Sequence, residues 1–427
     1  MELLMLKTMM ELQEMAKELG IKDYSKYKKT ELAQLVFEKM PKPDKHEEID
    51  QENEEISVAD DKFEKVEGVL EVMADGYGFI RGENYLPTNK DVYVSANQIK
   101  RFNLKTGDKI TGNTRETRAH EKLKPLIFVS TINGDVPAMA IKRRPFEYLV
   151  PVYPDTRLKL ETKKEEYATR IIDVIAPLGK GQRGLIVAPP KAGKTTLLKN
   201  IANAISENYP DIEIIVLLID ERPEEVSDMQ RSIKGDVIYS TFDELPAHHI
   251  KVAEMVLERA QRIAEQKKDV VVLLDSLTRL TRAYNLVIPS TGRTLSGGID
   301  PGAFHMPKKF FGAARNIENG GSVTILATAL TETGSRMDDV IYEEFKGTGN
   351  MEIHLDIKLQ ERRIFPAIDI IKSGTRKEEL LLTEKEATTM LKLRRALATD
   401  QSYEITEKFI NLMISTENNE QLISKIK

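Results

Sequence analysis

The sequence predicts a multidomain fold with a small N-terminal helical module, a β-barrel of the OB or cold-shock type, and a large α/β domain. Three observations support this prediction. Apolar residues recur at helical spacing near the N-terminus, and short strand patterns broken by Gly, Asn and Pro follow. Apolar strands then alternate with helical patterns around a phosphate-binding loop. At 427 residues, of which 41% are hydrophobic, the chain is long enough to bury more than one core.

Composition excludes several classes of protein. Charged residues make up 31% of the chain, and no apolar run approaches the roughly 20 residues that cross a bilayer, so we expect no membrane partner. The absence of cysteine excludes disulfides and thiolate metal sites and is typical of a reducing interior, so we expect a cytoplasmic protein. The net charge of −5 is dominated by an acidic stretch at residues 44–64, and the rest of the chain is mildly basic. The overall charge therefore does not exclude a nucleic-acid partner.

The N-terminal module is predicted to span residues 1–43. It contains two helical patterns, which are separated by Gly20, and Pro41 ends the second. Residues 44–65 are too charged and too poor in apolar side chains to form a core, so we interpret them as a flexible acidic linker.

A small barrel is predicted at residues 66–133 from five closely spaced strand patterns: GVLEVM, GYGFIRG, DVYVSA, GDKITGNT and LIFVSTING. A connector rich in proline and basic residues is predicted at 134–153. From 154 to 427, buried strands such as GLIVA, IEIIVLLID and DVVVLLD alternate with long helical patterns. This alternation predicts a sheet with helices on both faces.

The α/β domain contains a near match to the phosphate-loop pattern, AxxxxGK[ST], at Ala188 to Thr195. The match follows an apolar strand and opens a helix near Lys194, which is the context that the motif requires. Backbone N–H groups in the turn and at the helix N-terminus suit a β-phosphate. Lys194 can reach the β and γ oxygens, and the Thr195 hydroxyl can bind Mg²⁺. The motif therefore predicts a nucleotide site.

Two strand ends offer the acidic groups that hydrolysis needs. Asp275 ends DVVVLLD at the sheet edge where the phosphate loop emerges, so we expect it to contact the metal rather than to act as a cap. A group that orients or deprotonates water is expected in LLIDERPEE, where we favour Glu221 over Asp220. From the sequence alone, the reverse assignment and a structural pair with Arg222 both stay open.

The barrel also carries a pattern typical of nucleic-acid binding. In DGYGFIRG, Tyr77 and Phe79 alternate with glycine, so that on a strand both rings project from one face, and Arg81 continues that face. Bases can stack on such rings, and an adjacent arginine can hold phosphate. An isolated ring would more often belong to a core. The pair with Arg81, followed by DVYVS, favours RNA binding instead.

Two glycine-rich stretches of the α/β domain, residues 288–302 and 331–339, carry basic residues among Gly, Ser and Thr. This composition suits loops that grip a sugar-phosphate backbone, although ordinary flexible loops have a similar composition.

Several motifs together resemble the Rho family of bacterial transcription termination factors, which are RecA-like ATPases. The motifs are GLIVAPPKAGKTT, LLIDERPEEV, VVVLLDSLTRLTRAYN, RTLSGGID, KKFFGAARN, YEEFKGTGNMEIHL, RRIFPAIDI and SGTRKEEL. The resemblance runs from residue 66 to beyond residue 380 and extends more faintly to the first 41 residues. It implies a homohexameric ring that hydrolyses ATP at subunit interfaces, pulls single-stranded RNA through its centre and strips transcripts from RNA polymerase.

The resemblance also implies the roles of individual residues at the ATP site. Phe365 would stack on adenine, Arg363 would help to sense the γ-phosphate, and Arg376 would be a finger from the neighbouring subunit. Asp275 would hold the metal and Glu221 the water. The remaining contacts to ATP and Mg²⁺ would come from Lys191, Ala192, Gly193, Lys194, Thr195, Thr196 and Arg222.

For RNA, the resemblance implies a primary site on the barrel that prefers pyrimidines and two loops that line the pore. The barrel site would consist of Tyr77, Phe79, Arg81, Tyr93 and Glu121, the last of which would read a base edge. The first pore loop would contribute Arg293, Thr294, Ser296 and Gly297, and the second Gly334, Ser335 and Arg336. The chain departs from the family pattern at two positions, with Arg336 where many relatives carry lysine and Leu123 where an aromatic residue is common.

Two other functions remain open from the sequence. One is a rotary or export ATPase of the same class, which would carry a different N-terminal barrel. The other is a passive RNA-binding protein in which nucleotide only switches conformation. Stimulation of multiple-turnover ATP hydrolysis by RNA would distinguish the predicted translocase from both.

Overall fold

The computed structural model describes Ala16 and residues 63–118, 121–397 and 402–426. Apart from Ala16, the predicted helical module lies outside the described residues, as does the predicted linker up to residue 62. In the part of the chain that is described, no helix is both long enough and apolar enough to span a membrane.

The barrel consists of β1 (Glu64–Val72), β2 (Gly78–Arg81), β3 (Val92–Val94), β4 (Lys109–Thr114) and β5 (Leu126–Ile132), with helix α1 (Ala96–Phe102) between β3 and β4. The strands pair antiparallel in the order β3-β2-β1-β4-β5. Their inward residues form a core that includes Leu70, Ile80, Val94 and Ile110. All five predicted strands are present. Strand β1 begins inside the predicted linker, because its first residue, Glu64, pairs with the end of β4.

The connector is more ordered than its composition predicts. It includes α2 (Pro137–Ile141) and β6 (Pro151–Val152). Between them, the buried guanidinium of Arg143 pairs with Asp108 of the barrel, and its Nε lies 3.2 Å from Oε2 of Glu265 in the α/β domain. Arg143 therefore joins the two domains.

The α/β domain contains ten further strands and eleven helices among the described residues. The strands are β7 (Arg157–Leu158), β8 (Leu178–Gly179), β9 (Arg183–Ala188), β10 (Glu213–Glu221), β11 (Asp236–Thr241), β12 (Asp269–Asp275), β13 (Arg315–Ile317), β14 (Ser322–Leu330), β15 (Met351–Leu355) and β16 (Ile368–Thr375). The helices are α3 (Tyr167–Ile175), α4 (Lys194–Asn208), α5 (Pro223–Ser232), α6 (Pro246–Glu265), α7 (Leu277–Val287), α8 (His305–Gly312), α9 (Arg336–Lys346), α10 (Ile357–Glu361), α11 (Glu384–Leu397), α12 (Ser402–Ile414) and α13 (Asn419–Lys425).

The main sheet has the strand order β11-β10-β12-β14-β9-β15-β16. All neighbours in this order are parallel except β15 and β16, and β13 joins β14 to β6 at the side of the sheet. Because the parallel strands run in the same direction, the residues that follow β9, β10, β12 and β14 emerge at one edge. Ligands of open α/β sheets bind at this carboxyl edge.

Burial on both faces explains why these strands are apolar throughout. In β10, Ile215 and Leu217 pack into the core on one face, and Val216 and Leu218 pack into the core on the other. Helices therefore cover both sides of the sheet, and the predicted fold class is confirmed.

Candidate nucleotide site and nucleic-acid interface

The phosphate loop lies between the end of β9 at Ala188 and the start of α4 at Lys194. Two of its residues have positive φ angles, 67° at Lys191 and 91° at Gly193. Glycine adopts a positive φ without strain, and Gly193 does so as the residue directly before the helix. The first N–H groups of α4 have no acceptor within the helix, as at any helix N-terminus, so the loop presents donors suited to a phosphate.

Lys194 is the centre of a charged cluster at the carboxyl edge of the sheet. Its Nζ lies 2.6 Å from Oδ2 of Asp275 and 3.3 Å from Oε2 of Glu221. Asp275 is fully buried, and its other oxygen accepts a hydrogen bond of 2.8 Å from Thr328. The structure thus brings three of the predicted site residues together from β10, β12 and α4.

The pKa values of this cluster reflect burial and mutual charge. Burial on its own lowers the pKa of Lys194, but Asp275 and Glu221 outweigh it and raise that pKa above its ordinary value. Burial raises the pKa of the Glu221 carboxyl, and the charge of Asp275 adds to this effect, whereas Lys194 and Arg279 oppose it. Glu221 is therefore a stronger proton acceptor than an exposed glutamate.

The geometry separates Glu221 from Asp220. The register of β10 against β11 shifts between Ile219 and Glu221, and Asp220 takes a positive φ of 57° at this bulge. Glu221 is buried against Lys194, whereas Asp220 faces Arg279 at 3.9 Å. The predicted possibility of a pair with Arg222 is not seen, because the ion-pair partners of Glu221 are Lys194 and Arg279 and Arg222 is exposed.

Two residues of this cluster were not predicted from the sequence. Arg279 lies in the first turn of α7, where Ser276 caps the helix by accepting the N–H of Arg279. Its spacing of four residues from Asp275 in DSLTR was an available signal. The carboxylate of Glu225 in α5 lies 3.4 Å from the Thr195 hydroxyl. No sequence pattern around Glu225 indicated that it belongs to the site.

A cavity of about 450 Å³ adjoins the phosphate loop. Ala192, Gly193 and Thr196 line it on one side and Phe365 lines it on another, with half of the Phe365 side chain exposed. Its size and aromatic lining suit a nucleobase. Arg363 lies nearby in the chain at an exposed turn with a φ of 60°.

Arg376 lies far from the phosphate loop of its own chain. It follows β16, whose last residue, Thr375, pairs with Met351, and Met351 pairs with Gly184 at the beginning of β9. The phosphate loop follows the other end of β9, and a strand of six residues is about 20 Å long. The structure therefore does not bring Arg376 to the cluster around Lys194.

On the barrel, the three predicted aromatic residues form one cluster. The ring centroids of Tyr77 and Phe79 are 5.6 Å apart, those of Tyr77 and Tyr93 5.8 Å, and those of Phe79 and Tyr93 6.2 Å. Tyr77 lies in the turn just before β2 rather than in the strand itself, and Tyr93 reaches the cluster from β3. Ring spacings of this kind leave ring faces and edges available for stacking on bases.

Arg81 lies on the same strand face as Phe79, as predicted, but the expectation that it is available to hold phosphate is wrong. Its side chain is buried, and its guanidinium group pairs with Glu71 at 2.7 Å and with Asp91. Two carboxylates hold it under the Phe79 ring, with 4.8 Å between the guanidinium carbon and the ring centroid. Arg81 thus supports the ring on the outer face of β2, opposite the core residue Ile80.

Glu121 has an ordered partner of its own. Both carboxylate oxygens accept hydrogen bonds from Arg115, at 2.8 and 2.6 Å, and the Arg118 N–H donates to the same group. These contacts, led by the Arg115 hydrogen bond, lower the pKa of Glu121 to about 2. Glu121 is therefore a carboxylate acceptor at any physiological pH.

The two predicted pore loops lie against each other. A side chain at Gly297 would come within 2.5 Å of the Met337 backbone, so the first loop packs tightly on the start of α9. The neck of this loop is closed by Asp300, which accepts the Thr291 N–H at 2.7 Å and the Thr291 hydroxyl at 2.9 Å. Arg293, Thr294 and Ser296 are exposed in the first loop, as are Gly334 and Arg336 in the second.

Comparison with known proteins gives three family models that match in chain order. They are the Rho termination factor N-terminal domain at residues 4–37, the Rho termination factor RNA-binding domain at 66–138, and the nucleotide-binding domain of the ATP synthase alpha/beta family at 168–375.

Curated relatives named transcription termination factor Rho match nearly the whole chain. The protein of Bacillus subtilis is 56% identical over 96% of this chain and 92% of its own length. That of Aquifex aeolicus is 53% identical over 98% of this chain and 93% of its own length, and that of Pseudomonas aeruginosa is 50% identical over 99% and 98%.

Among solved structures, an ATPase of a bacterial type III secretion system matches with a TM-score of 0.55 and 25% identity over 65% of this chain and 86% of its own. The assembled secretion ATPase EscN of enteropathogenic E. coli, at 22% identity and a TM-score of 0.54 over 73% of this chain and 78% of its own, shares the fold. The identities over nearly the full length of the Rho proteins decide the assignment: the chain belongs to the Rho family of transcription termination factors.

Proposed function

We propose that this protein terminates transcription as an RNA-dependent ATPase and translocase, which works as a homohexamer and pulls single-stranded RNA away from RNA polymerase in the cytoplasm. The observation that carries this proposal is the division of the ATP site between two sheet edges. The phosphate loop, Glu221 and Asp275 lie at one edge, and Arg376 lies at the other. One chain would therefore contain all the parts of the proposed site and could not assemble them alone.

At the carboxyl edge, the residues fit ATP together with Mg²⁺. The Thr195 hydroxyl and the buried Asp275 carboxylate are hard oxygen ligands, the type that Mg²⁺ takes alongside phosphate oxygens. Mg²⁺ would supply charge neutralisation to the phosphates when bound. Lys194 would exchange its present contacts with Asp275 and Glu221 for the β and γ oxygens, and Phe365 would cover the adenine.

Glu221 is placed to act on the attacking water. Its contact with Lys194 supports this role, because Lys194 would bind the γ-phosphate, and a raised pKa makes Glu221 a better proton acceptor. The water oxygen would bond to the γ-phosphorus while the bond from that phosphorus to the β–γ bridging oxygen breaks. The products are ADP and phosphate, and the water proton passes through Glu221 to solvent.

In a ring of identical subunits, each interface joins one face of a protomer to the opposite face of the next. Arg376 would then contact the ATP of the adjacent subunit, as a finger that stabilises the charge of the transferring phosphoryl group. Such fingers are worth about 10³ to 10⁵ in rate.

RNA capture is assigned to the aromatic cluster of Tyr77, Phe79 and Tyr93, and RNA movement to the paired loops around Gly297 and Arg336. Stacking favours unpaired bases, and Glu121 offers an ionised acceptor for the amino group of cytosine. We therefore expect pyrimidine-rich single strands to be preferred over duplexes.

The test compares Lys194→Ala with the double variant Tyr77→Ala/Phe79→Ala on pyrimidine RNA. The lysine variant should lose ATP turnover and keep RNA capture, because Lys194 contacts only the ATP-site acids. The double variant should lose about 2 to 6 kcal/mol of RNA binding from two rings and keep ATP binding. If every RNA ligand stimulates ATP hydrolysis equally in the double variant and in the unaltered protein, the barrel has no role in this function. If a monomer hydrolyses ATP at full speed, the proposal that the ATP site is completed in a ring is wrong.

A further inference from the structure

The backbone of Glu221 is held by the outermost strand of the main sheet. Among the described strands, β11 lies at the end of the order and pairs only with β10. Thr241 of β11 pairs with Glu221, and the Phe242 N–H donates to the Glu221 carbonyl oxygen at 3.2 Å. A strand with unpaired backbone groups along one edge is open to solvent and to local fraying. The position of Glu221 therefore depends on what holds the end of β11.

A side chain of the barrel pairs with this edge as a further strand would. The Asn84 Nδ2 donates to the carbonyl oxygen of Tyr239 in β11 at 2.5 Å, and the Asn84 Oδ1 accepts the Tyr239 N–H at 2.6 Å. A primary amide carries a donor and an acceptor side by side, so it can satisfy both backbone groups of one strand residue. The barrel thereby protects the edge of the α/β sheet two residues before Thr241.

The turn that carries Asn84 is fixed against the α/β domain. Asn84 and Tyr85 both have positive φ angles, of 61° and 56°. Asparagine tolerates this conformation, but a bulky residue such as tyrosine rarely adopts it, so the turn is strained and persists only because its surroundings hold it. Tyr85 provides this hold, since its side chain is buried in the same core cluster as Ile238 of β11. Asn84 is therefore kept at the strand edge rather than left in solvent.

A second side chain holds the same strand end from α6. His249 is buried, and its Nδ1 lies 2.6 Å from the hydroxyl oxygen of Ser240 in β11. Ser240 donates its single hydroxyl hydrogen to Oε2 of Glu244 at 3.0 Å, so the hydrogen between His249 and Ser240 must come from Nδ1. Ser240 pairs with Ile219, the residue before the bulge in β10. His249 thus fastens β11 beside the bulge that precedes Glu221.

We propose that Asn84 and His249 are positioning residues for Glu221: they fix the end of β11, and β11 fixes the bulge that buries Glu221 beside Lys194. The barrel then contributes to the chemistry of ATP hydrolysis in its own protomer, in addition to capturing RNA. This inference rests on the proposed function, since that function gives Glu221 its role toward the attacking water.

The test measures hydrolysis of bound ATP in a single turnover at saturating RNA. Asn84→Gly removes the amide and tolerates the left-handed backbone, and it should slow this step about 3- to 30-fold, because a small displacement of a catalytic group is costly. The affinity for ATP and the RNA concentration for half-maximal stimulation should not change, since the phosphate loop and the aromatic cluster keep their residues. The matched control is Asn103→Gly, which should keep the normal rate, because Asn103 is an exposed asparagine of the barrel with a φ of 51°.

Variants of His249 separate its hydrogen bond from the packing of its ring. His249→Leu should slow single-turnover hydrolysis as Asn84→Gly does. His249→Asn should recover most of the rate, because its amide nitrogen can take the place of Nδ1 as the donor to Ser240. If His249→Leu does not fold, the Asn84 variant carries the test alone.

The decisive comparison repeats Asn84→Gly in the Glu221→Gln protein. If Asn84 acts through Glu221, the second change should slow the single turnover no further, since the carboxylate that Asn84 positions is already gone. A further loss as large as that in the unaltered protein would overturn the inference, because Asn84 would then act on general stability or on another part of the site. A rate for Asn84→Gly equal to that of Asn103→Gly would also overturn it.

Failure of the proposed function would give a different result, because Glu221→Gln itself would then hydrolyse ATP at the normal rate. If Glu221→Gln is impaired while the Asn84 and His249 variants match the control, Glu221 keeps its role and only its positioning by the barrel and α6 is wrong.

Discussion

Glu221 owes its environment to one irregular residue. The bulge at Asp220 turns the chain at the end of β10, so that Glu221 is buried beside Lys194 instead of following the alternation of the strand. Burial raises the pKa of the Glu221 carboxyl, and the charge of Asp275 adds to this effect. Lys194 and Arg279 counter this effect, and the balance sets the pH range in which Glu221 can accept a proton.

Replacing Arg279 with methionine should move the acidic limb of the ATPase pH profile to higher pH. The pKa of Glu221 is already raised, and its ionised form is the one that accepts a proton, so activity is lost as pH falls through that pKa. Arg279 lowers this pKa, and its removal therefore raises the pKa further. The measurement is kcat against pH at saturating ATP and RNA, with Arg395→Met as the control. An unchanged acidic limb in Arg279→Met would argue against Glu221 as the titrating group.

The residue types of the ATP site could be predicted, but their geometry could not. Lys194 and Thr195 belong to a motif whose spacing fixes their chemistry, and Asp275 ends an apolar strand at the same edge of the sheet. The choice between Asp220 and Glu221 depended on a bulge that alternation does not reveal. The burial of Arg81 was not predicted, because the sequence shows its strand face but not the carboxylates of Glu71 and Asp91 that pair with it.

Among the larger elements, the first pore loop depends on a single carboxylate. Asp300 joins the two ends of residues 291–300 through hydrogen bonds to Thr291, and its own N–H donates to Asn285 of α7 at 2.8 Å. Hydrogen bonds from the N–H groups of Thr291 and Gly302, led by that of Thr291, lower the pKa of the Asp300 carboxyl below its ordinary value. Residues 291–298 of the loop are exposed, and besides the neck its backbone is held at Gly297, which packs on the start of α9.

Asp300→Ala should release the neck and impair RNA stimulation of ATP hydrolysis without affecting RNA capture by the barrel. We expect the RNA concentration for half-maximal stimulation to rise by about three- to tenfold, since a misplaced loop grips the backbone less often. The matched control is Asp211→Ala, which removes an exposed aspartate. Stimulation equal to that of the control would show that the loop keeps its position without Asp300.

The connector is the second element on which the fold depends. Its sequence suggested only a linking segment, because the partners of Arg143 lie at residues 108 and 265 and no local pattern reveals them. The long strands, in contrast, were predictable because a strand buried on both faces must be apolar throughout, and this pattern is local. Contacts between distant segments are the part of the fold that single-sequence patterns miss.

Arg143→Met should lower the free energy of unfolding by about 3–5 kcal/mol, because it leaves Asp108 buried without its cation. Denaturant unfolding followed by circular dichroism measures this loss. Arg144→Met provides a closely matched control, since Arg144 is the exposed neighbour in the same segment. If both variants lose the same small amount, Arg143 is not the residue that joins the domains.

Across the whole molecule, the proposed RNA surface and the ATPase domain share a charged contact. Glu71 of the barrel pairs both with Arg81, which lies under the Phe79 ring, and with Lys251 of α6 in the α/β domain. Burial would raise the pKa of Glu71, but Lys251 and Arg81 hold it below its ordinary value. With Asp91 also paired to Arg81, two cations balance two carboxylates directly beneath the aromatic cluster.

Lys251→Met should therefore weaken RNA binding by the barrel, although Lys251 belongs to the other domain. Its loss leaves Arg81 to balance both Glu71 and Asp91, so a net negative charge remains under Phe79, where a polyanion must bind. We expect the Kd for a short pyrimidine RNA to rise about three- to tenfold at low salt, and the difference to shrink as salt screens the charge. Lys164→Met, which removes a surface partner of Glu417, should leave Kd unchanged. A Kd for Lys251→Met equal to that of this control at low salt would mean that the RNA surface is electrostatically independent of the ATPase domain.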